Sequence, residues 1–199
     1  MSPSDKYAMK KQVTLFPEKE IAVIAELDWI EAEKLAQQVK TTVEIHCDII
    51  EIVGSIRRQK DKVHDIDFVV VAGNDAECQK INEKLRRLKA KPSCSGNSLI
   101  KAFLPCRNGL FQVDFYRAKP STFGINMIIR TGSAEHNMWL AACAISRGMR
   151  LKYSEGLTKD GFAIAGENEK GVFTALDLPC PVPSQREISD GKPIWMLPK

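Results

Sequence analysis

Asp48-Ile49-Ile50-Glu51-Ile52-Val53-Gly54-Ser55-Ile56-Arg57-Arg58, followed by Asp65-Ile66-Asp67-Phe68-Val69-Val70-Val71-Ala72, is the stretch that decides the fold. Residues 48–53 read as a strand running into a small Gly-Ser turn. Phe68 to Ala72 is a continuous apolar, β-branched run, the mark of a strand buried on both faces. Side chains alternate along a strand, so Asp65 and Asp67 project from one face, their Cα atoms roughly 6.6 Å apart. Two carboxylates beside a buried strand are costly unless cations neutralise them. A pair of divalent cations would do so, and Mg2+ suits an all-Asp set. Gly54-Ser55 offers backbone N–H groups and a hydroxyl to a phosphate tail, and Arg58 adds a guanidinium fork. Asp-x-Asp alone is more often a polar strand edge, and most Gly-Ser turns are only turns. A Gly-Ser turn eleven residues ahead of an Asp-x-Asp strand is far more specific.

Working outward, Asp28 reads as a helix N-cap with Glu31 completing a capping box. Ala32, Leu35, Ala36, Val39 and Val43 carry that helix from Trp29 to about Cys47. Asn74-Asp75 caps the next helix, with Cys78, Ile81, Leu85 and Leu88 as its apolar stripe. Lys80, Lys84, Arg87 and Lys91 form a second stripe, either a solvated face or a phosphate-binding surface. Two strands follow, Leu99–Leu104 and Leu110–Tyr116, joined by a hairpin connection over 105–109. Asp114 lies in the second, between Val113 and Phe115, where an unpaired Asp is hard to explain. A third carboxylate converging on the first pair would complete a metal site and polarise an attacking hydroxyl.

The character changes after Ser121. A short helix spans Phe123 to Ile129 and ends at Thr131-Gly132-Ser133; a second runs from Glu135 to Arg147. Met138, Ala141, Ala142 and Ile145 read as its inward face, and Gly148 closes it. Lys159-Asp160-Gly161 and Gly166 signal turns, and 179–183 is proline-rich. Residues 1–16 are polar and mixed, with no firm structure expected. The order indicates an α+β protein: a catalytic unit over 1–130, then a smaller α/β unit over 131–199.

Composition sets the outer bounds. The 199 residues are 44% hydrophobic and 27% charged, with no apolar run near the ~20 residues of a membrane span. The N-terminus lacks the layout of a signal peptide. The six cysteines are scattered without a Cys-x-x-Cys pair, which argues against zinc and for reduced thiols. These features predict a cytoplasmic protein, cellular or virus-encoded, without a membrane partner. A net charge of +4 permits an anionic partner without demanding one.

The stretch from Gly54-Ser55 to Asp65-Ile66-Asp67-Phe68-Val69-Val70 resembles the palm signature of the nucleotidyltransferase superfamily, specifically the family X (polymerase β-like) DNA polymerases. Gln112-Val113-Asp114-Phe115 resembles that family's third-carboxylate strand. Thr131-Gly132-Ser133-Ala134-Glu135-His136-Asn137 resembles the loop opening its C-terminal nucleotide-binding subdomain. Residues 171–179 and 183–187 look like its closing segment, so the likeness covers about Glu44 to Glu187.

The resemblance implies a nucleotidyltransferase-type palm (a mixed sheet with flanking helices) and a small thumb-like subdomain. It implies a monomeric DNA-directed polymerase that adds dNMP to a primer 3′-hydroxyl and fills short gaps in DNA repair. Two divalent metal ions are implied, Mg2+ with Mn2+ as the alternative. Asp65 and Asp67 would ligate both and Asp114 the catalytic one. Gly54, Ser55 and Arg58 would meet the β- and γ-phosphates. His64 stands where a glycine often contacts phosphate, and is either an aid to triphosphate binding or an ordinary turn residue. Thr131, Gly132 and Ser133 would line the sugar, and Asn137 the minor-groove edge of the base. Helix capping for Ser133 and an exposed helix position for Asn137 are the plain alternatives.

Ile129-Arg130 replaces the family's aromatic pair, and Ala134, Met138 and Ala141 replace groups near the base and template. Weak base selection is therefore expected. With no lyase or DNA-gripping module apparent, Lys80, Lys84, Arg87, Lys91, Lys101, Arg147, Arg150 and Lys152 are the candidates for holding gapped DNA. The competing expectations are a nucleotidyltransferase with a non-DNA or untemplated acceptor, and a catalytically silent nucleic-acid-binding module.

Overall fold

The computed structural model describes residues 25–95, 98–107 and 109–197. The expectation for residues 1–16 falls outside them. A short strand, β1 (Leu27–Asp28), leads into α1 (Trp29–Val43), where the Asp28 carboxylate accepts from the Glu31 backbone N–H at 2.8 Å. Helix α1 is shorter than its sequence pattern suggests, because residues 44–46 tighten into a 3-10 turn. Then come β2 (Ile49–Ile52), a one-turn helix α2 (Gly54–Arg57), the short β3 (Lys62–Val63) and β4 (Asp65–Val71). The expected Gly-Ser turn is thus the first turn of a helix.

Helix α3 (Asp75–Arg87) is capped by Asn74, whose side chain accepts from Glu77 N–H at 3.1 Å. Beyond it lie β5 (Lys91–Ser95), β6 (Leu99–Cys106) and β7 (Gly109–Arg117). Strand β5 carries no apolar alternation, so it escaped the sequence reading. Five of these seven strands form one mixed sheet in the order β2-β4-β7-β6-β5, with β4 and β7 parallel and every other neighbour antiparallel.

The two faces of this sheet differ in chemistry. Ile66, Phe68, Val70, Val113, Phe115, Ile100, Ala102 and Leu104 are buried with the apolar stripes of α1 and α3. Phe68 and Phe115 stack there with ring centroids 4.8 Å apart. The opposite face carries Asp65, Asp67 and Asp114, as the alternation requires.

The C-terminal third builds a separate core. It comprises α4 (Phe123–Thr131), α5 (Ala134–Ser146), the antiparallel β8 (Met149–Lys152), β9 (Gly156–Lys159) and β10 (Phe162–Ala165), and α6 (Glu169–Ala175). Asp160 (φ 50°) and Gly161 (φ 84°) form the β9–β10 turn that the sequence signals. Ile125, Ile128, Leu140, Ala144, Leu157, Val172, Phe173 and Leu176 pack together.

One expectation is corrected here. Helix α5 buries His136, Leu140 and Ala144, while Met138, Ala142 and Ile145 are exposed and Ala141 is half-buried. Residues 138–145 are apolar almost throughout, so no polar stripe marks the outer face and periodicity cannot choose the inner one.

His136 is fully buried, and that burial, with Arg186 as the next cause, pushes its pKa down to about 4. The unfolded chain takes up this proton near pH 6.5, whereas the folded chain resists it until about pH 4. Stability is therefore lost as pH falls through that window, by about 2 kcal/mol at pH 5. Melting temperatures of wild type and His136→Phe, followed from pH 8 to 4.5, should diverge below pH 6.5, with the variant keeping its stability longer.

Candidate active site

Parallel pairing sets Asp67 opposite Asp114 and Asp65 opposite Gln112 on β4 and β7. The neighbouring antiparallel pair sets Lys101 of β6 opposite Asp114. Asp114 is only 3% exposed, and its two oxygens have different surroundings. Oδ2 accepts from Gln112 Nε2 (3.1 Å) and Tyr116 OH (3.2 Å) and lies 3.3 Å from Lys101 Nζ. Oδ1 is buried without a hydrogen-bond partner.

Burial first, then the charges of Asp65 and Asp114, pushes the Asp67 pKa up to about 8. Burial and the charge of Asp114 raise Asp65 in the same direction. A set of carboxylates this crowded resists full ionisation without cations. Among the described residues, no group of three His, Cys, Asp or Glu side chains closes tightly enough to hold a metal ion as it stands. Yet the donor set is all carboxylate oxygen, one buried oxygen lacks a partner, and mutual repulsion favours a cation. That chemistry fits a hard divalent ion.

Gly54 adopts φ +67°, and a Cβ there would collide with the Asp67 carboxylate, lying 3.1 Å from its Cγ. Only glycine allows this turn to lie against β4. Trp29 at the start of α1 holds α2 from behind, its indole N–H donating to the Ile56 carbonyl at 2.9 Å. The Ser55 hydroxyl is buried and unpartnered. His64 is exposed, with Nε2 3.5 Å from Glu26 Oε2.

The arginines of this motif reach across to the C-terminal third. Arg57 donates to both oxygens of Glu169 (2.9 and 2.7 Å) and to the Thr131 hydroxyl (2.8 Å). Arg58 donates to Glu187 (2.9 Å), to the Thr131 carbonyl and to the Gly132 carbonyl (3.3 Å). Lys60 pairs with the same Glu187 oxygen at 2.8 Å. Glu169 is shared with Arg186, which is itself 1% exposed and donates twice to the Pro181 carbonyl. Sequence reasoning assigned Arg58 to phosphate and missed Arg57, Lys60, Glu169, Arg186 and Glu187. Partners 112 and 129 residues away leave no local signal.

Ser133 caps α5 by accepting from the His136 N–H at 3.1 Å. Asn137 donates to the Ile129 carbonyl at 2.7 Å, and its side-chain oxygen is buried without a partner. Arg130, at the end of α4, stacks over Tyr116 with its guanidinium carbon 3.7 Å from the ring centroid. Tyr116 and Gln112 were likewise overlooked; their place on the Asp114 face of β7, two residues to either side, was the available clue.

The basic candidates scatter. Lys101 adjoins Asp114, as above. Lys80, Lys84 and Arg87 lie on α3, across the sheet from the carboxylates, and Lys80 pairs with Glu77 at 2.8 Å. Lys91 opens β5 at the far edge of the sheet. Arg147 follows α5 and donates to the Cys143 carbonyl at 3.0 Å. Arg150 is exposed on β8, and Lys152 pairs with Glu155 at 2.8 Å.

Residues 126–187 match the DNA polymerase beta thumb family, so the C-terminal third is similar to that family. A curated relative is the DNA polymerase/3'-5' exonuclease PolX of Bacillus subtilis (strain 168), 24% identical over 159 residues. The match covers 78% of this chain and 28% of that protein. The chain is thus similar to the family X polymerases, as its motifs imply. No helix among the described residues is long and apolar enough to cross a membrane.

Proposed function

We propose that the chain is a DNA-directed DNA polymerase of the family X type. It joins a dNMP to a primer 3′-hydroxyl: a 3′-O–P bond forms, the α–β phosphoanhydride breaks, and pyrophosphate leaves. The observation that carries this reading is the Asp65, Asp67 and Asp114 set on one sheet face, in a chain whose residues 126–187 match the DNA polymerase beta thumb family. Residues 1–130 would serve as the palm and 131–199 as the thumb.

Two divalent ions on these carboxylates would neutralise phosphate charge and acidify the attacking hydroxyl. The protein's part is positioning. The Gln112 and Tyr116 hydrogen bonds hold Asp114 so that Oδ1 is the oxygen left to ligate. Ser55 has a buried hydroxyl to give a phosphate oxygen, and Gly54 brings its backbone close. Arg58 joins that turn to the carbonyls of Thr131 and Gly132, so the phosphate and sugar sides of the nucleotide are fixed together. Its role is then to hold this loop as much as to meet phosphate.

A second reading, transfer without template instruction, has its own support. The amide N–H of Asn137 is engaged with the Ile129 carbonyl, and the α5 positions beyond it are apolar. Primer extension on a one-nucleotide gap with each dNTP alone separates the two. Extension by the complementary dNTP, with mispairs within about a hundredfold, fits weak base selection, since about 1.4 kcal/mol of lost discrimination is tenfold. Addition of any dNTP irrespective of template would favour the second reading. No extension on any DNA would end the first.

A further inference from the structure

Lys101, Asp114 and Asp67 form a row across three adjacent strands, each the register partner of the next. Lys101 Nζ lies 3.3 Å from Asp114 Oδ2, and its side chain stays 29% exposed. That oxygen also accepts from Gln112 and Tyr116, while Oδ1 accepts from nothing. One side of Asp114 is therefore saturated and partly cationic, and the other is unpaired. We propose that Lys101 is the built-in counterion of this row and leaves it for the primer's 3′-terminal phosphate when divalent cations load. Metal binding and primer-end binding then strengthen each other. This rests on the polymerase reading.

A row of one buried and one half-buried carboxylate requires a positive partner, and an ammonium on a four-carbon stem supplies one without fixing its position. A divalent ion held through Oδ1 would repel that ammonium. Gln112 and Tyr116 are neutral and keep their bonds to Oδ2, so Asp114 stays oriented while the lysine departs. The released ammonium needs an anion on the open side of β6, and the polymerase reading puts the attacking primer end beside Asp114. Its terminal phosphate meets that need. Linkage makes the effect reciprocal: whatever DNA does for metal affinity, metal does for DNA affinity.

Mn2+ binding followed by electron paramagnetic resonance tests this without turnover. Wild type, Lys101→Met and Lys101→Arg are titrated with and without gapped DNA whose primer ends in a dideoxynucleotide; Lys101→Gln is the substitute if Lys101→Met does not fold. The expectation is that free Lys101→Met binds Mn2+ about fivefold more tightly than wild type, having lost the competitor. DNA should raise Mn2+ affinity about tenfold in wild type and Lys101→Arg, and no more than about twofold in Lys101→Met. Unchanged or weaker Mn2+ binding by free Lys101→Met, or undiminished enhancement by DNA, overturns the proposal. An unblocked primer run in parallel tests the polymerase reading by itself. Absent extension with lysine-dependent coupling intact overturns that reading and leaves the counterion role standing.

Discussion

Asp114→Asn should reduce primer extension by about a thousandfold, the scale at which a preorganised electrostatic partner of the reacting atoms is lost. The substitution preserves volume and can keep the Tyr116 contact, so the carboxylate charge is the principal loss. A neutral amide holds a divalent cation poorly, and Oδ1 is the atom that nothing in the fold already engages. Gapped-DNA affinity in metal-free buffer should not fall, because the neutral amide no longer holds the Lys101 ammonium. Single-turnover extension rates, set beside a binding titration, read both effects. Extension within about tenfold of wild type would remove Asp114 from the chemistry.

Glu169→Gln should cost about 3–5 kcal/mol of stability, because it leaves the buried Arg186 guanidinium without its charged partner. Glu169 accepts from Arg57 through both oxygens and from Arg186 at 2.6 Å. Burial alone would raise its carboxyl pKa, but the hydrogen bonds from Arg57 and Arg186 more than offset this and hold it below the ordinary range. A depressed carboxylate contributes stability that is complete at neutral pH and is lost as pH falls through the folded value. Urea unfolding at pH 7 measures the loss. Hydrogen exchange should place it in α6 and residues 181–187, with the β4–β7 strands unaffected. A change under about 1 kcal/mol would mean that the thumb core holds these elements unaided.

How much of this was readable beforehand follows from sequence distance. The Asp65/Asp67 alternation and the Asn74 cap are local, and local spacing revealed both. Asp114 joins the pair only through β4–β7 parallel pairing, yet an Asp between Val113 and Phe115 betrays itself by its apolar company. The outward face of α5 was unreadable because residues 138–145 are apolar on every side. Arg57, Glu169 and Arg186 were unreadable for another reason: charged residues look solvent-bound until the fold folds them together. Had the Arg58–Glu187 pair been legible as well, Arg58 would have been read as part of a bridge and not only as a phosphate ligand.

Gly54 has a mechanical consequence. Its missing side chain lets the backbone lie against the Asp67 carboxylate, and Val53 N–H donates to the Asp67 carbonyl at 2.9 Å. The turn proposed to seat phosphate and the strand proposed to seat metal therefore share one contact surface and move as a single piece. A motion admitting the proposed nucleotide would then come from the other side, where Arg57, Arg58 and Lys60 hold the C-terminal third by ionic bonds. The hard jaw is fixed by a missing methyl, and the moving jaw hangs on exchangeable charge.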